Sequence, residues 1–371
     1  MPRLIFYELK KILSLPVLVL LAATLCILTG APISRYASFA METGVPLARY
    51  KEVTMEYAGP LNQALADRAL GDWRKLPDPY HGSESPEEQA RRHALRRLAE
   101  EYASAPEAQK EPEKASWDAG ERLGEAMAGL GGLWLEHGYY EGWKMWLTSM
   151  NGEGAWLCAA LLVFGLAALF SGEAACGMAN LVRTMPNGLK PLTAAKLAAA
   201  ALYSLACAAL CALLPLAVTA ALFGMDGGGL PAQFAAKLPY PLTLAGYGAL
   251  RVMMLPLGAL ALAAVTALLS AALPSATAPA VMGFAVFISP VIYKLLQMKS
   301  QAIDTLMRYM PARFFLPEEI LGTLQADMLW QSPLWQPQWL ALLWAALIPA
   351  FAAAAAAVFL RTPREEPVIQ D

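Results

Sequence analysis

One apolar stretch near the N-terminus, about 120 polar residues, and then five further apolar stretches: this interrupted pattern constrains the fold more than anything else in the chain. A membrane-spanning helix takes roughly 20 mostly apolar residues. Ile12–Pro32, Gly154–Gly172, Leu197–Phe223, Thr243–Leu273, Ala276–Leu296 and Trp339–Leu360 all reach or approach that length. The stretches are continuous and rich in Ala and Leu instead of alternating, which suits helices and argues against the strands of a membrane barrel. The expected fold is an all-α polytopic membrane protein with six transmembrane helices and a helical extracytoplasmic domain inserted between helices 1 and 2. Residues 1–32 would form an N-terminal interfacial helix and helix 1, 33–152 the inserted domain, 153–360 helices 2–6, and 361–371 a cytoplasmic tail.

Charge follows the same partition. Only 16 % of residues are charged, against about 25 % in soluble domains. Ile33–Gly152 alone holds 14 of the 28 Lys+Arg and 19 of the 30 Asp+Glu. Arg3, Lys10 and Lys11 precede the first span, Arg183, Lys190 and Lys196 lie between the second and third, and Arg361 and Arg364 follow the last. With six spans these places share one face, which the positive-inside rule makes the cytoplasm. Lys294, Lys299, Arg308 and Arg313 fall on the opposite side and run against the rule. The expected location is the cell (plasma) membrane, multi-pass, with both termini cytoplasmic and residues 33–152 outside. The first apolar run, about 20 residues, exceeds the 7–15-residue core of a signal peptide, so an uncleaved anchor is expected.

Local patterns refine the layout. In Pro2–Leu13, Leu4, Ile5, Leu9, Ile12 and Leu13 share one helical face with Glu8, Lys10 and Lys11 elsewhere, as in a helix lying in the interface and touching membrane lipids. Ser85-Pro86-Glu87-Glu88 reads as a capping box with proline at the first helical position. It opens a helix whose Ala90, Ala94, Leu95, Leu98 and Tyr102 form an apolar stripe. Leu47–Gly59, Leu61–Leu70 and Lys114–Trp146 offer further helices. Trp134, Trp143, Trp146 and Trp156, and again Trp330, Trp335, Trp339 and Trp344, read as interfacial belts. Pro215, Pro256, Pro279, Pro290 and Pro349 are places where spans would kink.

Signatures of bond chemistry are missing. No G-x-x-x-x-G-K-[ST] occurs, and Gly227–Gly229 lacks the strand and helix of a phosphate cradle. His81, His93 and His137 show no metal spacing, and a solvated turn is expected around His137. Cys207 and Cys211 share a helical face, where packing is the expected role. The chain is therefore expected not to be an enzyme: no catalytic residues, no metal, no cofactor and no nucleic-acid partner. Arg251, inside the fourth stretch, carries two readings: its long side chain snorkels to the interface, or it lines a substrate pathway.

The sharpest motif lies between the second and third spans: Glu173, Gly177, Leu181, Thr184, Pro186, then Ala195-Lys196-Leu197. With Tyr7-Glu8-Leu9-Lys10-Lys11 at the start, it resembles the membrane subunits of ATP-binding-cassette exporters of type 2. In that family an acidic residue at the inner end of the second span opens a loop of the form E…G…L-x-T-x-P…A-K-L. Here Val182-Arg183 both lie between the leucine and the threonine, and Asn187-Gly188 replaces the family's common serine-arginine. The resemblance implies an ATPase-coupling loop comprising Glu173, Gly177, Arg183, Thr184, Pro186, Lys190 and Lys196. It further implies an N-terminal interfacial helix with Glu8, Lys10 and Lys11 beside that loop, a separate ABC ATPase subunit, a permease homodimer or heterodimer, and export of an unknown substrate (peptide, lipid or drug-like). A membrane sensor or scaffold, whose outer domain reads a ligand or partner without transport, is the alternative.

Overall fold

The computed structural model describes residues 1–77, 85–104, 136–175, 189–232, 242–275, 277–297, 300–316, 326–329 and 332–361. Six helices are long and apolar enough to cross a membrane, the layout of a multi-pass membrane protein. Among the described residues, strand is confined to two short antiparallel pairs: β1 (Gly59–Pro60) with β2 (Glu136–His137), and β3 (Ala326–Leu329) with β4 (Ser332–Trp335).

Helix α1 (Pro2–Ile12) precedes the first span, α2 (Leu15–Thr43). Hydropathy ends that span at Pro32, yet the helix runs on to Thr43. Gly44 stops it in the left-handed region (φ 66°), where its N–H bonds Ala40 O at 3.1 Å. A Cβ at Gly44 would lie 2.3 Å from Gln89 Oε1, so glycine serves both the turn and the contact. The second span likewise begins well before Gly154. It comprises α6 (Glu141–Ser149), a π-turn (Met150–Gly154), α7 (Ala155–Leu166) and α8 (Ser171–Ala175). Both helices that flank the polar insert thus extend past their apolar stretches into it.

Within the insert, α3 (Leu47–Met55), α4 (Gln63–Trp73) and α5 (Pro86–Ser104) occupy the expected helical stretches. Asn62 caps α4 by accepting from Leu65 N at 2.9 Å. The capping box is present: Ser85 N donates to Glu88 Oε2 at 2.8 Å, and Glu88 N to Ser85 Oγ at 3.3 Å. Ala90 and Ala94 are buried against Phe39, Tyr50, Tyr139 and Phe223, whereas Leu95 and Leu98 pack with Tyr57 and Ala69. Helix α5 is therefore held between the projecting end of α2 on one side and α4 on the other. Most of Lys114–Trp146, including Trp134, lies outside the described residues.

The bundle continues with α9 (Leu189–Phe223), α10 (Leu244–Ala272), α11 (Ala278–Leu295), the short α12 (Gln301–Arg308) and α13 (Ala312–Phe315), and α14 (Gln336–Arg361). The second span is central, with 72 % of its apolar stretch buried; the first, fifth and sixth have 22 %, 22 % and 17 %. Helix α10 packs most extensively on α14 and then on α9. Two ends are distinguished by their neighbours. The terminus end holds α1, Glu173 and the ring pair Phe170–Phe359 (4.9 Å), while the insert end holds the start of α6 and the close of α9.

One expectation is corrected here, and two others gain detail. Trp143 and Trp146 are not a belt: Trp146 is 2 % exposed and donates to Ala212 O at 3.0 Å, and Trp143 donates to Met225 O at 3.0 Å. An indole N–H buried in the bundle needs an acceptor, and carbonyls within α9 (Ala212) and just beyond its end (Met225) supply it. Pro215, Pro256, Pro290 and Pro349 lie inside continuous helices and Pro279 in the first turn of α11. A departure from helical dihedrals falls at Gly152 (φ −88°, ψ −106°). Cys158, Cys207 and Cys211 are buried thiols in the bundle core.

Two glycine substitutions should act in opposite directions. A Cβ at Gly142 would lie 1.7 Å from the backbone oxygen of Gly224, so Gly142→Ala must separate α6 from the end of α9. We expect a loss above about 2 kcal/mol, as for overpacking. At Gly71, inside α4, no atom lies within 4 Å, and Gly71→Ala should gain about 0.5–1 kcal/mol through helix propensity. Thermal unfolding of the purified variants reads both.

Candidate functional site

At the terminus end the chain assembles a buried four-residue charge cluster. Helix α1 turns Glu8 and Ile12 inward against α9, leaving them 2 % and 5 % exposed. This corrects the expected polar placement of Glu8. Lys196, one turn beyond Leu192 on α9, donates to Glu8 Oε2 at 3.0 Å and to Leu169 O at 2.7 Å, and lies 3.0 Å from Glu173 Oε1. Lys11 reaches Glu8 Oε1 at 2.8 Å and Glu173 Oε1 at 3.0 Å. An ammonium has three donors, and Lys196, 1 % exposed, commits all of them. That satisfaction allows a charge to remain so deep. Lys11, half exposed, is held above its usual range: burial lowers it, but the hydrogen bonds and charges of Glu8 and Glu173 outweigh that.

The backbone under Glu173 explains how it gets there. Helix α7 closes at Leu166 and a turn intervenes before α8. Ser270 Oγ, from α10, accepts from Phe170 N (2.9 Å) and Ser171 N (3.1 Å), the amides that the turn deprives of helical partners. Ser171 Oγ in turn donates to Ala167 O at 2.9 Å.

A second polar layer surrounds the π-turn. Arg35 of α2 pairs with Glu153 and hydrogen-bonds Ser149. Arg251 of α10 donates to Asn151 Oδ1 (3.0 Å), Phe314 O (2.8 Å) and Phe315 O (3.1 Å). Arg251 is fully buried, so it does not snorkel. Its guanidinium fork satisfies carbonyls at the end of α13 that have no helical partner. Gly258 leaves room for this segment, since a Cβ there would lie 2.5 Å from Phe314 Cβ. Arg35 stands about 30 Å of helix from Leu15, and Glu153 the same distance from Glu173. The two layers are thus separated by the thickness of a hydrocarbon core.

The insert holds a third cluster, where α5 meets α6. Arg97 donates to Glu101 Oε1 at 3.0 Å and pairs with Glu141, while its guanidinium lies 4.1 Å over the Tyr140 ring. Glu101 also accepts from Tyr140 at 2.7 Å and bonds His137 Nδ1 at 2.7 Å. His137 is buried (1 %), which corrects the solvated turn expected around it. Burial pushes the Glu101 carboxyl up, but the His137 hydrogen bond and the Arg97 charge win and hold it below the usual carboxylate range. Arg97 and Glu101 extend the helical spacing of Ala90 and Ala94, which was the available sequence signal for this cluster.

Of the residues singled out from sequence, Glu8, Lys11, Glu173 and Lys196 converge. Lys10 and Lys190 are exposed on α1 and α9, and none of the cluster's hydrogen bonds involves them. Arg251 belongs to the other layer. Gly177, Arg183, Thr184 and Pro186 lie outside the described residues. Arg35, Glu153, Arg97, Glu101 and Glu141 were not anticipated. Among the described residues no group of three His, Cys, Asp or Glu side chains is placed to hold a metal ion. Compared with family models, curated proteins and solved structures, the chain finds no match.

Two measurements test these clusters. Lys196→Met leaves Glu8 buried without its deep partner and should cost about 3–5 kcal/mol. Lys196→Met with Glu8→Leu retains the Lys11–Glu173 pair and should recover most of the loss in thermal unfolding. At the insert, Glu101 is lowered in the folded state, so its stabilisation is complete above its unfolded value near pH 4.3 and is lost as pH falls through the folded value. Limited proteolysis should find Glu101→Gln weakened by about 3 kcal/mol at pH 7, with the wild type approaching the variant only below about pH 4.

Proposed function

We propose that the chain is the permease subunit of an ATP-binding-cassette transporter of type 2, moving a substrate across a membrane with energy from a separate ATPase. One observation carries the reading: the two distant segments that bear the resemblance, around Glu8–Lys11 and Glu173–Lys196, meet in one buried cluster. Six candidate spans and the grouping of basic residues support it further. In this reading the terminus end faces the cytoplasm, residues 33–152 lie outside, and the ATPase docks at the end of the bundle that bears α1, Glu173 and Lys196. The pathway would run along an interface with a second permease copy. The substrate class is a peptide, lipid or drug-like molecule.

The cluster suits force transmission. Lys196 binds both α1 and the end of the second span, so a push on the connection between spans two and three reaches α1, α7 and α9 together. Desolvated ion pairs either hold or exchange partners, and this favours discrete arrangements over gradual bending. A second reading, a sensor or scaffold, is favoured by the buried Arg97–Glu101–Glu141 junction, which ties the insert firmly to the second span.

Co-purification separates the two. An ATPase should accompany the tagged chain, and Glu173→Gln should lower transport-coupled ATP hydrolysis about tenfold while assembly persists. On a cysteine-free background, Lys190→Cys should label only from the cytoplasmic side and Asp226→Cys only from outside. A chain that purifies without an ATPase, or the reverse labelling, would overturn the permease reading.

A further inference from the structure

A cleft of about 400 Å³ opens between α1 and the end of the second span. Its polar end is the Glu8–Lys11–Glu173–Lys196 cluster, and its apolar wall runs along Ala168, Leu169 and Gly172 as far as Gly165. Gly165 lies about 12 Å of helix from Glu173, so the cleft extends from the charged layer well into the apolar depth of the bundle. Ala168 is exposed on that wall, whereas Ala167 and Leu169 beside it are buried (4 % and 5 %).

The hydrogen-bond capacity of the cluster defines what the polar end can still accept. Lys196 has committed its three donors, to Glu8, Glu173 and Leu169 O. Lys11 has committed two, to Glu8 and Glu173, and with 55 % of its side chain exposed it retains a third. Glu8 uses both oxygens, but Glu173 uses only Oε1; its buried Oε2 has no hydrogen-bond partner among the described residues. One cationic donor on Lys11 and one buried anionic acceptor on Glu173 therefore remain within a cluster whose formal charges cancel.

We propose that this cleft seats one aminophospholipid with a zwitterionic headgroup of the phosphatidylethanolamine type. Its phosphate takes the remaining Lys11 donor. Its primary ammonium donates to Glu173 Oε2 after a small rotation of the carboxyl group, a torsion with broad minima. One acyl chain lies along the Ala168–Gly172 wall. A phosphatidylcholine headgroup has no N–H for Glu173, and a phosphatidylglycerol headgroup brings no cation to it. A basic side chain from a protein partner would satisfy Glu173 but has no use for a slot that continues 12 Å toward Gly165. The seat requires only that the chain spans a bilayer, so it stands or falls independently of the permease reading.

Native mass spectrometry of the purified full-length chain, titrated with dioleoyl lipids of ethanolamine, choline and glycerol headgroup, tests it. The ethanolamine lipid should bind about tenfold more tightly than either other, the worth of one charge-assisted hydrogen bond. Glu173→Gln should reduce that preference to less than about twofold. Ala168→Trp, which leaves all four charged residues in place, should abolish ethanolamine-lipid retention and serves if the first variant fails to fold. Equal binding of the three lipids, tightest binding of the glycerol lipid, or full retention by Ala168→Trp would overturn the proposal. So would a lysine-rich peptide that binds with no lipid preference beside it.

Discussion

A charge cannot be left unpaired where water is scarce, and the architecture is organised around that constraint. Lys196 is the extreme case, because its ammonium is essentially removed from solvent. The desolvation of such an ion costs several kcal/mol unless opposing charges and hydrogen bonds offset it. The offset comes from three separate segments: Glu8 of the N-terminal helix, Glu173 at the end of the second span and the carbonyl of Leu169. Helix α1 is consequently an integral part of the bundle. Its apolar residues alone would hold it at a lipid surface, whereas Glu8 draws it against α9.

The opposite layer obeys the same rule with different partners. Arg251 is fixed by one side-chain amide, that of Asn151, and by the carbonyls of Phe314 and Phe315. Those carbonyls belong to the short α13, which returns chain to the bundle between the fifth and sixth spans. The π-turn of the second span, with the last residue of α6, lies between Arg35 and Arg251, offering Ser149 and Glu153 to the first and Asn151 to the second. At helical spacing Ser149 and Glu153, four positions apart, share the face toward Arg35, and Asn151 lies roughly opposite, toward Arg251.

Much of this was legible in the chain. Hydropathy located six spans because a helix in lipid must be apolar for its full length, and Ser85 with Glu88 announced α5 through its own cap. Glu8, Lys11, Glu173 and Lys196 were named from motif and position, although their mutual contact was not. The partners of Arg251 were hidden for a physical reason: backbone carbonyls carry no sequence signature. The Gly152 break was hidden by proline, which attracts attention as a helix breaker but sits in these spans without interrupting them. His137 was misread because a Gly-Tyr-Tyr neighbour looks like a turn, whereas its partner Glu101 lies 36 positions upstream.

The span boundaries carry the largest consequence. Apolarity marks where a helix must be in lipid and says nothing about where it ends, so α2 and the second span outrun their apolar stretches. Tyr36 and Phe39 on α2 and Phe223 on α9 form ring contacts at 5.3–5.9 Å beyond those stretches, and Tyr139 anchors to Phe223 O at 2.8 Å. The insert is built on these extensions, and its buried Arg97 and Glu141 join α5 to the first turn of α6. A displacement of the second span must therefore either carry the insert with it or be absorbed at the π-turn. The position of Gly152, between the Glu141 junction and the Glu173 cluster, makes the two ends of one span separately anchored bodies joined through a π-turn with one non-helical residue.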